Sequence, residues 1–260
     1  MPPPRGLKTF VVESSPGKLV RGKFPSFRPT NSDGSIRGSP LRGITKRLHS
    51  SIYSSGEFPE GVFKGEWRGG AWKGDGGGIR RGRAVDSQVS KLAGVSKAKR
   101  ASSNKFKLSR MLFSVLEEAG IEPLCGQRVV IDEAARLGTA ADVVGYRRRD
   151  NKLVLVELKS GYRGDRSAPA LSKKKVCSLA HPLSNAKDTI LNRHFAQLTA
   201  TLSMFVSERK TMDTMRKKFD LAGIEAVLVY TDDYQSEIYE LPRWWVKRGK
   251  ALVRILGEDR

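Results

Sequence analysis

The sequence is poor in cysteine and has no long apolar run. Cys125 and Cys177 are its only cysteines, and neither belongs to a CxxC pair or stands near histidines at ligand spacing. A disulfide framework and a zinc site are therefore both excluded. No apolar run approaches the roughly 20 residues that a bilayer-spanning helix requires, and the opening stretch MPPPRGLKTFVVESSPG lacks the apolar core of a secretion signal. We expect an intracellular protein without a membrane partner.

Acidic residues are scarce in the first part of the chain. Residues 1–110 contain 23 Lys and Arg against 7 Asp and Glu, a net charge of +16. Residues 111–260 contain 25 against 20, a net charge of +5. The resulting total of +21 is typical of a protein whose partner is a nucleic acid or another polyanion.

Residues 1–79 are also poor in regularly spaced apolar side chains. They are rich in Pro, Gly, Ser and Arg, and residues 61–82 hold nine Gly interleaved with Phe63, Trp67 and Trp72. Such a composition buries too little apolar surface to offset the entropy of ordering, so we expect a disordered basic arm. Its cations and aromatic rings suit a nonspecific tether to nucleic acid. A solubilising tail or a targeting segment is the alternative.

Regular apolar patterns begin near Arg80 and predict one domain over residues 80–245, followed by a basic tail at 246–260. Apolar residues at helical spacing predict helices over 81–94, 105–120 and 185–209. Runs of β-branched residues predict strands over 127–132, 140–148, 152–161, 225–233 and 236–242. This order of elements favours an α/β fold with a central mixed sheet flanked by helices.

Charged residues interrupt two of the predicted strands. The stretch LVLVELKSG places Glu157 and Lys159 at the end of an apolar strand, and Asp142 begins the core of the strand before it. A tight turn centred on Asp150 and Asn151 would pair Asp142 with Lys159, with Glu157 on the same face within about 5–8 Å. Moving the turn back by one residue pairs Asp142 with Glu157 instead. Both registers bring the three charges together.

Such a cluster has a recognisable chemistry. Two close carboxylates repel each other, and their burial costs several kcal/mol unless a cation compensates. Lys159 supplies one positive charge, and Mg²⁺ or Mn²⁺ bound through the carboxylates would supply the rest. A divalent ion beside a lysine can stabilise the charge of a phosphate transition state, which predicts phosphodiester hydrolysis. An ordinary ion pair at a strand end is the alternative.

The spacing of these residues resembles that of the PD-(D/E)XK nuclease superfamily. Asp142 is followed across a hairpin by Glu157-Leu158-Lys159, between helical segments. Two further segments resemble the RecB-like and phage-type exonuclease branch. Gly82 is followed four positions later by Asp86, as in the first-helix motif of that branch, and Gln197 stands in a His-Phe-Ala-Gln-Leu segment similar to its downstream Gln motif.

The resemblance implies a restriction-endonuclease-like core and specific roles. Asp86, Asp142 and Glu157 would be metal ligands, and Gln197 would hold Lys159 or the substrate. Asp142, Glu157, Lys159 and Gln197 would form the catalytic set.

The chain departs from that branch at two positions. The branch usually has His where Asp86 stands, and Tyr where this chain has Thr201. Three other residues compete with Asp86 for the first acidic role. They are Gln88, Glu117 and Glu118.

We therefore expect a Mg²⁺-dependent DNA nuclease, more specifically an exonuclease that acts on DNA ends or single strands in replication, recombination or repair. The loop after the catalytic strand carries cations that would hold the phosphate backbone, although they also fit a solvated charge run. These cations are Arg163, Arg166, Lys173, Lys174 and Lys175. A nucleic-acid-binding or packaging protein that keeps the fold without turnover is one alternative, and an endonuclease, including one that cuts RNA, is another.

Overall fold

A computed structural model describes residues 2–20, 26–53, 66–68, 71–73, 77–160, 166–167, 177–232 and 234–258. Over these residues the predicted α/β class is confirmed, with a mixed sheet flanked by helices. The helices are α1 Leu7–Glu13, α2 Ile44–Ser51, α3 Gly77–Leu92, α4 Lys97–Ser103, α5 Lys107–Glu118, α6 Ile190–Ser207, α7 Arg209–Phe219 and α8 Arg243–Gly257. The strands are β1 Gly17–Val20, β2 Ser26–Pro29, β3 Arg42–Gly43, β4 Glu66–Arg68, β5 Ala71–Lys73, β6 Ile121–Asp132, β7 Leu137–Arg147, β8 Lys152–Ser160, β9 Gly223–Thr231 and β10 Ser236–Glu240.

The main sheet has six strands. Its hydrogen-bonded order is β10-β9-β8-β7-β3, and β6 also pairs with β7. The pairs β8–β9 and β3–β7 are parallel, whereas β6–β7, β7–β8 and the predicted β9–β10 hairpin are antiparallel. The long connection through α6 and α7 is what allows β8 and β9 to run in the same direction.

The two faces of the sheet bury different helices because strand side chains alternate. On one face, Val154, Val156 and Leu158 pack with side chains of α3 and α5. On the other face, Leu153 and Leu155 pack with α1, α2, α6, α7 and α8. The sheet is therefore the middle layer of three.

Residues 2–20 and 26–53 are ordered, although the sequence predicts a disordered arm here. These residues form α1, α2 and three short strands, and β3 extends the main sheet. Leu7, Val11, Ile44, Leu48 and Ile52 are at most 1% exposed and belong to the large core. The arm prediction therefore needs correction for this part of the chain, while residues 54–65, 69–70 and 74–76 lie outside the described residues.

Spacing rather than composition explains this order. Leu7 and Val11 are four residues apart, and Ile44, Leu48 and Ile52 recur at the same interval, so each short helix has one apolar stripe. Neither stripe could form a core alone. Each is buried against a surface that residues far along the chain provide, and that burial offsets the entropy of ordering.

The predicted basic tail at 246–260 is likewise corrected. Residues up to Gly257 continue α8, whose Leu252, Val253, Ile255 and Leu256 are buried. Gly249 lets α8 approach α6 closely, because a Cβ atom at this position would lie 2.8 Å from the Cβ of Ser203. The domain core therefore extends beyond both predicted boundaries. No helix in the described part of the chain is long and apolar enough to cross a membrane.

Candidate active site

The β7–β8 hairpin sets which charges face each other. Arg147 pairs with Lys152 and Val143 with Val156, so the turn lies one residue earlier than the first of the two predicted registers. A short 3-10 turn over Arg148–Asp150 is followed by Asn151 in the left-handed conformation, with φ of 51°. Continuing this register by one pair places Asp142 opposite Glu157, which is the second predicted register.

The same alternation explains why acidic and basic side chains stand at the end of an apolar strand. Leu153 and Leu155 face the α6 side of the sheet, and the next two side chains on that face are Glu157 and Lys159. The charged pair therefore continues the buried row of β8 where the strand leaves the core. Glu157 remains buried, with 3% of its surface exposed.

Three of the four predicted catalytic residues form a closed hydrogen-bonded triangle. Lys159 Nζ donates to Glu157 Oε1 at 2.7 Å and to Gln197 Oε1 at 3.2 Å. Gln197 Nε2 donates to the same Glu157 oxygen at 2.6 Å. One orientation of the Gln197 amide thus satisfies both partners. The structure places Gln197 of α6 beside Lys159, where the resemblance predicted it.

Asp142 is the fourth predicted residue and lies against the same strand. Its Oδ2 accepts a hydrogen bond from the backbone N–H of Leu158 at 2.8 Å. Burial, and then the nearby carboxylates of Glu157 and Asp86, raise the pKa of Asp142 well above its usual range, against the opposing effects of Lys159 and the Leu158 N–H. The site therefore carries unbalanced negative charge when all its carboxyl groups are ionised.

Asp86 reaches this cluster from α3. The second turn of the helix lies against the end of β8, since a Cβ atom on Gly82 would lie 3.6 Å from the Ser160 hydroxyl. Burial raises the pKa of Asp86 to about 6, with Lys159 lowering it and Glu157 raising it. The predicted first-helix acid thus interacts electrostatically with Glu157 and Lys159 of β8.

Lys159 keeps its proton at neutral pH. Burial by itself lowers the pKa of this amine, but Glu157 and Asp142 outweigh burial and leave the pKa above its ordinary value. The side chain as a whole is 21% exposed. Lys159 is therefore a hydrogen-bond donor and a positive charge, not a base.

The Asp86 pKa leads to a prediction about stability. An unfolded Asp has a pKa of about 3.9, so native Asp86 binds more protons than the unfolded chain between about pH 4 and pH 6. Its stabilising contribution is present below about pH 4 and is lost as the pH rises to 6. The substituted asparagine does not titrate, so the unfolding free energy of Asp86→Asn minus that of wild type should increase by about 2 kcal/mol from pH 4 to pH 7.

Urea denaturation in EDTA at several pH values measures this difference. Asp213→Asn on the exposed face of α7 is the matched control, and it should follow the wild-type profile. Identical pH profiles for the two variants would contradict the assignment of Asp86 to a desolvated carboxyl cluster.

The residues that compete with Asp86 lie elsewhere. Gln88 Oε1 accepts hydrogen bonds from Phe106 N and Ser109 Oγ, both at 3.0 Å, so Gln88 fixes the start of α5. Glu117 forms an exposed ion pair with Lys97, and Glu118 accepts from the Ser114 hydroxyl. The structure brings only Asp86, among these four, to Lys159.

Thr201, which stands where the branch usually has Tyr, is a structural residue. Its Oγ1 donates to the carbonyl of Gln197 at 3.0 Å, and only 1% of the residue is exposed. The hydroxyl therefore bonds within α6 and does not extend toward a substrate.

The predicted phosphate-binding loop is described at one position only. Arg163, Lys173, Lys174 and Lys175 lie outside the described residues. The Arg166 guanidinium is paired with Glu237, donates to the Tyr239 hydroxyl at 2.8 Å and lies 4.3 Å from the centroid of the Tyr230 ring. With 11% of its side chain exposed, Arg166 is held by protein partners, so its position does not support the phosphate-binding role.

Several residues around the cluster were not predicted to take part. His194 Nδ1 lies 2.6 Å from the Tyr230 hydroxyl, and burial, followed by Lys159 and Arg193, lowers the pKa of His194 well below its usual range. Tyr230 pairs with Lys159 across β8 and β9. His194 and Tyr230 therefore pack beside the charged cluster, and no sequence motif signals the contact.

A buried ion pair anchors the helix that carries Gln197. Arg193 donates to both carboxylate oxygens of Asp188, at 2.6 and 2.9 Å. Its guanidinium stacks 4.5 Å from the Tyr53 ring centroid, and the Tyr53 hydroxyl donates to the Arg193 carbonyl at 3.0 Å. Thr189 caps the helix by accepting from Asn192 N at 3.2 Å. The N-terminal segment thus helps to position the site.

The donor set suits a hard divalent cation. Asp142 Oδ1 and Glu157 Oε2 have no hydrogen-bond partner among the described residues, because the bonds above use the other oxygen of each carboxylate. The described residues contain no group of three or more His, Cys, Asp or Glu arranged to hold a metal. Mg²⁺ commonly binds through one or two carboxylates and several waters, so it does not require such a group.

Comparison of the chain with protein-family models, with curated proteins and with solved structures finds no significant match.

Proposed function

We propose that the protein is a metal-dependent DNA nuclease that hydrolyses phosphodiester bonds at the Asp142, Glu157, Lys159 and Gln197 cluster. The observation that supports this proposal most directly is the hydrogen-bonded triangle of Lys159, Glu157 and Gln197. The protonated Lys159 lies beside several buried carboxylates, whose total negative charge exceeds the single positive charge of the lysine. An ordinary ion pair does not need the third residue or the two additional acids.

Lys159 has the properties of a phosphate-binding donor. An ammonium group has three N–H donors, and two are used on Glu157 and Gln197. The third can donate to a non-bridging phosphate oxygen and stabilise the charge that develops there during hydrolysis. Gln197 and Glu157 hold the amine in place, so the donor is oriented before the substrate arrives.

Asp142 and Glu157 would hold the cation, and Asp86 would contribute directly or through water. When bound, Mg²⁺ or Mn²⁺ supplies positive charge to the scissile phosphate and increases the acidity of water. The carboxylates themselves must be ionised for this role. The raised pKa values of Asp86 and Asp142 therefore predict activity that increases as the pH rises through about 6.

The proposed substrate is a DNA end or a single strand, which the protein would degrade as an exonuclease in replication, recombination or repair. Purified protein is tested on end-labelled linear duplex, single-stranded and closed-circular DNA and on RNA, with Mg²⁺, Mn²⁺ or EDTA. We expect metal-dependent cutting by wild type and loss of cutting in Glu157→Gln.

Glu225→Gln is the matched control, because Glu225 pairs with Lys152 at the opposite end of β8. It should cut at a rate near wild type. Salt-sensitive DNA binding without cutting under any metal would refute the nuclease proposal and leave a nucleic-acid-binding protein. Cutting of circular DNA or of RNA would replace the exonuclease with an endonuclease or a ribonuclease.

A further inference from the structure

A second charged feature lies away from the candidate active site. A cleft of about 1060 Å³ has α6 as its floor and α7 and α8 as its walls. Thr199 lines this cleft and is two residues from Gln197, which rotates it by about 200° around the helix. The cleft therefore opens on the side of α6 that faces away from Glu157 and Lys159. We call it the α7–α8 cleft.

Each wall presents one helix face with two cations. Arg209, Met212 and Arg216 recur at intervals of three and four on α7, and residues of α8 with similar spacing line the other side. The α8 cations are Lys250 and Arg254. All four are exposed, and none forms an ion pair with an acid among the described residues.

The surrounding helix surfaces strengthen this positive charge. Together α7 and α8 carry ten Lys and Arg and a single acid, Asp213. The cleft lining also includes Asp132 and Glu258, and the Asp132 carboxylate accepts from the backbone N–H of Ala135 at 2.9 Å. Positive charge therefore dominates both walls, with acids confined to the end near the β6–β7 turn.

The floor supplies polar and apolar contacts. The Thr199 hydroxyl is buried and has no hydrogen-bond partner among the described residues, which is costly unless a ligand or solvent satisfies it. Ser203 lies one turn further along the floor. Val206 and Val246, which also line the cleft, are 42% and 47% exposed. A matching ligand would be a polyanion that also has flat, weakly polar parts.

We propose that the α7–α8 cleft binds a single strand of nucleic acid through its phosphate backbone. Paired cations on two walls suit phosphates that pass between them, and Ser and Thr hydroxyls are common phosphate donors. Exposed apolar side chains suit unstacked bases, which a single strand can offer. The inference rests on the proposed function only in taking nucleic acid as the partner.

Salt dependence of binding tests this assignment. Full-length protein in EDTA is titrated into fluorescein-labelled single-stranded oligo-dT and into a duplex of equal length, and anisotropy is followed from 50 to 300 mM KCl. Each lost phosphate contact should reduce the single-strand slope of log K against log salt by about 0.7. The double variant Arg216→Gln/Lys250→Gln should therefore reduce it by about 1.4.

Lys99→Gln/Lys105→Gln is the matched control, because both residues are exposed cations in and just after α4, outside the N-terminal segment predicted to tether nucleic acid. It should leave the slope near the wild-type value. An unchanged slope in the cleft variant would overturn the proposal and favour an acidic polypeptide as the occupant. An equal reduction on the duplex would overturn the single-strand assignment.

Thr199→Val provides a second, independent variant. Because the hydroxyl has no partner among the described residues, this change should not lower the urea midpoint, yet it should weaken single-strand binding about threefold to tenfold. Wild-type affinity in this variant would remove Thr199 from the site. Binding in EDTA does not depend on hydrolysis, so failure of the nuclease proposal would show as absent cleavage with the slope effect intact.

Discussion

Replacing Lys159 by Met should reduce DNA cleavage by about 10²–10³-fold, which is the usual cost of removing one oriented donor from a developing negative charge. The methionine side chain has a similar length but offers no N–H group. Lys159 also lowers the pKa values of Asp86 and Asp142. The residual activity of Lys159→Met should therefore require a higher pH than the wild-type activity does.

Single-turnover cleavage rates measured across pH separate these effects from binding. Lys152→Met is the matched control on the same strand, because Lys152 is an amine at the other end of β8 that pairs with Glu225. We expect the control to keep its rate and its pH profile. A Lys159→Met protein that is folded and cleaves at the wild-type rate would exclude Lys159 from the reaction.

Removing the carboxylate of Asp188 should be the most destabilising single change at an ion pair of the described residues. Asp188 and Arg193 have side chains that are 2% and 1% exposed. Asp188→Asn removes the carboxylate from the buried guanidinium, and breaking a buried ion pair by removing one partner typically costs about 3–5 kcal/mol. The loss should appear as a reduced midpoint in urea with an unchanged m-value.

Glu133→Gln is the contrasting control. It removes an ion pair with Arg37, whose side chains are 47% and 46% exposed, and such surface pairs contribute about 0–1 kcal/mol. Asp188 and Arg193 also fix the start of α6, so the Asp188 variant should disturb the position of Gln197. Its cleavage rate should therefore be reduced even at temperatures where the variant is still folded. A loss of stability no larger than that of the control would contradict the anchoring role.

The candidate site could be predicted because residues close together in the sequence determine how its charged side chains are placed. Alternation along β8 dictates that Glu157 and Lys159 share a face, and a short hairpin forces Asp142 onto the neighbouring position. Both alternative turn registers brought the three charges together, so the error of one residue in the first of them did not matter. The apolar stripe of α6 follows from the same kind of short-range periodicity, whereas the choice of Gln197 rested on the resemblance of its segment to the downstream Gln motif.

The remaining features were decided by tertiary contacts. The stripes of α1 and α2 are too short to predict order, and only the surface formed by α6, α8 and the sheet makes their burial favourable. The same holds for residues 246–257. Their cations suggested a basic tail, but these residues belong to α8, which packs on α6. Arg166, predicted to bind phosphate, instead donates hydrogen bonds to Glu237 and Tyr239, which are more than 70 residues away in sequence.

The difference between the two groups has one physical cause. Side-chain direction within a strand or helix is fixed by backbone geometry over a few residues, and the sequence alone therefore determined which charges could meet at the end of β8. Burial and ion pairing depend on surfaces assembled from distant segments. Only the tertiary structure could decide that the N-terminal helices complete the core, that Asp188 and Arg193 anchor α6, and that α7 and α8 enclose a positively charged cleft.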